Sequence, residues 1–169
     1  KVMTEGETTF YQFDSKMGFW GENYIERDVK FDQRPDQLIK IIHNSEGNRD
    51  SEIVLDDNEK TIVCVGGSHT WGAAVDQNSR YTNFLEEKSN TKVVNIGHCS
   101  LGLDQVCLAI LLKSAKYSPK IIIVEQYPWA VHRVLNNFVN GYVRPHFYID
   151  AKDELQLRKL SSIIRIPLF

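Results

Sequence analysis

No apolar run in this sequence approaches the length needed to cross a bilayer, and no signal-like segment follows Lys1. An excess of charge of one sign is also missing. Twenty basic residues stand against twenty-two acidic ones for a formal charge of −2, and the basic residues are scattered, so nothing points to a nucleic-acid surface. Cysteine is scarce. Cys64, Cys99 and Cys107 are odd in number and cannot all pair within the chain; three reduced thiols, with Cys64 packed as a small apolar side chain, is the simplest reading. Neither a Cys-x-x-Cys nor a His-x-x-x-His pair occurs, so no metal site and no cofactor is expected. A chain of 169 residues suffices for one domain with its own core. Because it opens on Lys1 rather than methionine, a processed or partial product is expected.

What is present divides the chain in two. Residues 1–58 read as polar and irregular, with Gly, Asn and Asp clusters at 47–50 and 56–58. Phe10, Tyr11, Phe13, Phe19 and Trp20 supply aromatic anchors there, and Leu38 to Ile42 a short amphipathic piece. The expectation is an N-terminal extension or cap packed on the core formed by residues 59–169. From residue 60 onward the pattern alternates. Strands at Thr61–Val65, Val93–Asn95 and Lys120–Glu125 interleave with helices at Tyr81–Lys88 and Asp104–Lys116, which predicts an α/β fold with a parallel sheet covered on both faces. A flavodoxin-like three-layer α/β/α winding is the expected topology. A β-hairpin is expected at His146–Asp150 and Glu154–Lys159, followed by the apolar end Ile163–Phe169.

The chemistry concentrates at Thr61-Ile-Val-Cys-Val-Gly-Gly-Ser-His-Thr-Trp-Gly72. A strand runs into Gly66-Gly67-Ser68, so the chain can turn sharply and hold the Ser68 hydroxyl at the strand's carboxyl end. A helix starting near Thr70 would aim unpaired N–H groups at the same space, where they can stabilise an oxyanion or hold an anion. An ordinary strand-to-helix turn explains the same residues about as well. This is not the Gly-x-Ser-x-Gly elbow, because Thr70 stands where that elbow has glycine.

A second block, Lys92-Val-Val-Asn-Ile-Gly-His-Cys-Ser-Leu-Gly-Leu-Asp-Gln105, again runs from a short strand into a glycine-punctuated loop and a helix. Together the two blocks resemble the SGNH hydrolases, or GDSL-like acylhydrolases. Gly66, Ser68, Thr70 and Gly72 match the family's Gly-Asp-Ser-x-Thr-x-Gly, while Asn95, Gly97 and Gln105 match its second block, with Gly102 displaced by two. The segments around Phe13–Trp20 and Asn44–Arg49 are similar to stretches that precede the catalytic block in one bacterial branch.

The resemblance implies a serine-dependent ester hydrolase or O-acyltransferase whose substrate is a small-molecule or glycan ester, an acetylated glycan for example. Ser68 would be nucleophile and backbone oxyanion donor, and Gly97 a second backbone donor. The departures are specific. Gly67 replaces the family's aspartate, and Glu125-Gln126-Tyr127 stands where the oxyanion asparagine should be, leaving the Gln126 amide as its substitute. No Asp-x-x-His pair occurs, so the chain is expected to be the front part of such a domain, with the basic histidine outside it. His98, Trp71, Tyr127, Trp129, His132 and Arg133 are the candidate substrate-binding residues, with core packing or a solvated helix face as their bland reading. For His69 the bland reading is a helix-start residue bonded to backbone; Cys99 beside His98 is a weaker nucleophile candidate. The alternative function is a catalytically inactive SGNH-like domain with a glycan-binding or assembly role. An anion- or nucleotide-binding flavodoxin-like module ranks last, because it leaves the second block unexplained. Composition leaves the compartment open; the resemblance slightly favours a secreted, periplasmic or membrane-attached protein, and an oligomer or larger assembly is compatible with it.

Overall fold

A computed structural model describes residues 3–4, 10–56, 59–136, 138–139 and 142–158. The N-terminal segment is not irregular but built of strands. It contains β1 (Met3–Thr4), β2 (Tyr11–Asp14), β3 (Gly18–Gly21), β4 (Glu26–Phe31) and β5 (Arg34–Ile42). The hairpin of β2 and β3 pairs Tyr11 with Gly21 and Asp14 with Gly18, and a separate sheet has the order β1-β4-β5. Ile39 and Ile41 are buried while Lys40 between them is exposed, the period-two alternation of a half-buried strand. Dense charge along β4 and the start of β5 hides that alternation in the sequence.

The second half follows the expected alternation closely. After β6 (Thr61–Val65) come α1 (Ser68–Trp71), α2 (Tyr81–Ser89), β7 (Val93–Asn95), α3 (Leu103–Ala109) and β8 (Pro119–Val124). Beyond α3 the helix continues as a π-helical turn at Ile110–Ser114 and a 3-10 turn at Ala115–Tyr117. Strands β6, β7 and β8 form a parallel sheet in the order β7-β6-β8, with Val63 opposite Val94 on one side and Ile122 on the other. Then follow α4 (Pro128–Val134), a short pair β9 (Phe138–Val139) and β10 (Tyr142–Val143), and the hairpin β11 (His146–Ile149) and β12 (Leu155–Arg158). The apolar end at Ile163–Phe169 lies outside the described residues. Among the described residues no helix is long and apolar enough to cross a membrane.

The strand period assigns the two faces of β6. Ile62 and Cys64 pack with Val93 and Leu85 of α2. Val63 and Val65 point the other way, into one large cluster that joins Phe10, Phe19, Trp20, Val29, Ile39 and Ile41 of the N-terminal strands to Val106 and Leu108 of α3. The central strand is therefore sandwiched, and the N-terminal strands share its core. Strand β8 differs: Ile121, Ile122, Ile123 and Val124 remain 36–48% exposed at the sheet edge.

Buried polar groups lock the parts together. Arg49 donates to the carbonyls of Trp71, Gly72, Val75 (2.6 Å) and Lys40, and to Gln77 Oε1 (3.1 Å), so it clamps the chain that leaves α1. Gln105 Nε2 reaches Met17 O at 2.7 Å, and its Oε1 accepts from the Gly102 N–H and from Arg144 Nε. Hydrogen bonds from a charged donor to buried carbonyls contribute about 1.5–3 kcal/mol each, which explains why a fully buried guanidinium is tolerated at position 49.

Candidate functional site

Ser68 opens α1 immediately beyond the buried strand β6. Gly66 is required by space: a Cβ there would lie 2.5 Å from both Glu125 Cβ and Thr70 Oγ1. Gly72 ends the single helical turn in the left-handed region at φ 88°, with its N–H donating to Ser68 O at 2.9 Å. Asn95 holds the same turn from the neighbouring strand, its Nδ2 donating to Thr70 O at 2.6 Å.

The group that organises this turn is Glu125. Because β8 runs parallel to β6, with Val124 beside Val65 and the Glu125 N–H donating to Val65 O at 2.8 Å, residue 125 leaves the sheet next to residues 66–67. Its Oε2 accepts from the Gly67 N–H (3.1 Å), the Thr70 N–H (2.7 Å) and Thr70 Oγ1 (2.6 Å). Its Oε1 lies 3.0 Å from His69 Nδ1. A carboxylate from a distant strand thus caps the turn that bears Ser68, where unpaired N–H groups need an acceptor. On Ser68 itself two donors are left over. Among the described residues neither the Ser68 N–H nor its hydroxyl has a hydrogen-bond partner.

His69 is exposed and points at Glu125, not at backbone as its bland reading had it, with the Tyr127 ring 5.8 Å away. Tyr127 in turn lies under the Arg133 guanidinium (5.3 Å), and Arg133 donates to Leu101 O (3.1 Å) in the second-block loop. Tyr127 and Arg133 therefore join the two loops. Trp129, 67% exposed, and His132 sit on the same short helix with rings 5.9 Å apart.

Four other assignments change. Trp71 is a core residue: it is fully buried, its Nε1 donates to His43 Nε2 (3.1 Å), and the Arg49 guanidinium lies 4.8 Å from its ring. A single-turn helix turns its fourth residue inward, which proximity to Ser68 in sequence does not reveal. His98 is likewise withdrawn from the surface. It is fully buried 4.1 Å from the Trp20 ring, and burial, reinforced by the nearby His43 and the Lys113 ammonium, holds its pKa well below the usual histidine value. Gln126 is exposed while Glu125 meets the loop, because successive residues leaving a strand face opposite ways. The Gly97 N–H, expected to face an oxyanion, donates to Asn95 Oδ1 at 3.0 Å.

Glu125 is the functional candidate that reading the sequence missed. The signal was there: in a parallel pair, the residue one past the end of β8 lies beside the turn after β6. Comparison with protein-family models, with curated proteins and with solved structures gives no match for this chain.

Proposed function

We propose that Ser68 is the nucleophile of a serine-dependent ester hydrolase or O-acyltransferase of the SGNH type, acting on an O-acyl group such as the acetyl of a glycan. The observation that carries this reading is the unengaged Ser68 hydroxyl and N–H, presented at the carboxyl end of the central parallel strand on a turn whose neighbouring N–H groups are held by Glu125. Open α/β sheets bind ligands at that end. The flavodoxin-like three-layer topology belongs to the same proposal. It is supported by the order β7-β6-β8, by packing on both faces of β6, and by β8, whose apolar residues on both faces suit a strand with neighbours on either side.

In this mechanism Ser68 Oγ attacks the acyl carbonyl carbon, and the Ser68 N–H stabilises the oxygen that becomes negative; the acyl C–O bond then breaks, the alcohol leaves with the proton that the base took from Ser68, and water or an acceptor hydroxyl releases the acyl group from the serine. Tyr127, Trp129, His132 and Arg133 border the acyl acceptor. His69 is turned to Glu125; the base that accepts the serine proton is, as the SGNH resemblance implies, a histidine outside this sequence. The Gly97 N–H contributes only when Asn95 Oδ1 releases it. Loss of one oxyanion donor raises a barrier by about 3 kcal/mol, which makes this a slow enzyme.

The engaged Gly97 N–H and the absence, among the described residues, of any imidazole bonded to Ser68 favour a second reading, a catalytically silent domain of the same fold that binds glycans or assembles with other chains. Hydrolysis of p-nitrophenyl acetate and deacetylation of acetylated xylooligosaccharides by the protein at its natural length separate the two. Ser68→Ala should lower kcat/KM by about 10³-fold or more with an unchanged circular dichroism melt. Equal rates in the two proteins would leave the silent domain.

A further inference from the structure

We infer that the cleft between the N-terminal hairpin and the helical turns after α3 is a binding site for a neutral saccharide, separate from Ser68. The cleft measures about 300 Å³ and is lined by Gln12, Asn23 and Asn48, by Trp20 and Tyr117, and by Asp14, Glu46, Lys113 and Lys116. That volume lies at the lower end of the range for small-ligand pockets. Its position excludes a share in the Ser68 chemistry. Tyr117 O accepts from Thr61 Oγ1 (2.7 Å) at the start of β6, whereas Ser68 follows its end, so the length of the strand, about 16 Å, lies between them.

The lining chemistry selects the ligand class. Lys113 Nζ is 3.0 Å from Asp14 Oδ2, and Lys116 pairs with Glu46, so the four charges cancel and favour neither an anion nor a cation. The two ammonium groups also lie over the faces of Trp20 (5.0 Å) and Tyr117 (4.9 Å), which leaves hydrogen bonding rather than ring stacking as the main hold on a ligand. What remains is a set of amides, because the Tyr117 hydroxyl donates to Glu46. Gln12 Nε2 donates to Asn23 Oδ1 (2.7 Å), and Asn48 Nδ2 donates to Tyr117 Oη (3.0 Å). Asn48 is 1% exposed, and its Oδ1 has no hydrogen-bond partner among the described residues. A buried carbonyl without a donor is costly, and a ligand hydroxyl, which donates and accepts at once, matches it.

A second, independent feature lies in the backbone. The π-helical turn at Ile110–Ser114 interrupts the helix where Lys113 enters the cleft. Such turns displace side chains from the regular helical face and recur at functional sites.

Titration of the protein carrying Ser68→Ala with cellobiose, maltose and chitobiose, followed through side-chain amide resonances of Gln12, Asn23 and Asn48, tests the site without any contribution from acyl chemistry. A saturable shift of these amides with at least one disaccharide is expected. Gln12→Ala and Lys113→Met at the rim should each weaken it about tenfold. Asn48→Leu, which removes the orphaned carbonyl at nearly the same side-chain size, should abolish it while the protein stays folded. No saturable shift with any of the three sugars, or an equal shift in all variants, would overturn the site. A response confined to inorganic phosphate would replace it with an anion site between the lysines.

Discussion

Acidification from pH 6.5 downward should destabilise this protein by up to about 2.7 kcal/mol per pH unit, twice the slope of a single buried histidine. The reason is two imidazoles folded in their neutral form. His43 Nε2 accepts from Trp71 Nε1, so its proton sits on Nδ1 and is donated to Glu22 O. Burial, aided by Arg49 and other nearby cations, lowers its pKa from 6.5 to about 3, and His98 shifts the same way. The unfolded chain then binds more protons than the folded one throughout the window from 6.5 toward 3. Stability is complete above 6.5 and declines as the pH falls through that window. Asp50 and Asp104, whose pKa values burial raises, oppose the trend at its acid end, whereas Asp14 and Glu46, lowered, reinforce it once their unfolded values are reached. Urea unfolding at a series of pH values measures the slope. His43→Gln, which keeps a donor and an acceptor but cannot titrate, should roughly halve it; a pH-independent stability between 6.5 and 5 would contradict the neutral pair.

Replacing Glu125 by alanine should lower turnover by about 10²-fold, chiefly in kcat, because a nucleophile displaced by an ångström loses that much. Glutamine should be nearly as poor: its amide presents one acceptor oxygen, yet Gly67, Thr70 and His69 together direct donors at both carboxylate oxygens. The informative variant is the rescue. Gly67 has a negative φ of −89°, and a Cβ there would meet Tyr127 Cε1 at 3.1 Å and Glu125 Oε1 at 3.5 Å. In the Glu125→Ala background that second contact disappears, so adding Gly67→Asp returns a carboxylate to the same loop and should recover part of the lost kcat. A purely structural role for Glu125 would instead show as a lowered melting temperature that Gly67→Asp does not restore, with normal kcat in the folded fraction.

The contrast between Glu125 and Gln126 shows where sequence reading stops. Strands β6, β7 and β8 and helix α2 were legible because their apolar runs are short, bounded and spaced as a parallel unit requires. Which of two adjacent polar residues faces the serine depends on strand parity at the exit of β8, and one residue of register reverses that answer. The N-terminal strands escaped for another reason. In Glu26-Arg27-Asp28-Val29-Lys30-Phe31 only Val29 and Phe31 are buried, so half-buried alternation is drowned by charge. Trp71 and His98 lie within the two matching blocks and invite a substrate role, but the core that claims them is assembled from Phe10, Trp20 and His43, far away in sequence.

A fluorophosphonate probe applied to the natively folded protein at its natural length, with the adduct located by peptide mass spectrometry, is the most direct test that Ser68 is a nucleophile. Labelling at Ser68, lost in Ser68→Ala and slowed in Glu125→Ala, is the expected result. A folded protein that carries no adduct at Ser68 would contradict the proposed chemistry and leave this loop a structural turn held by Glu125.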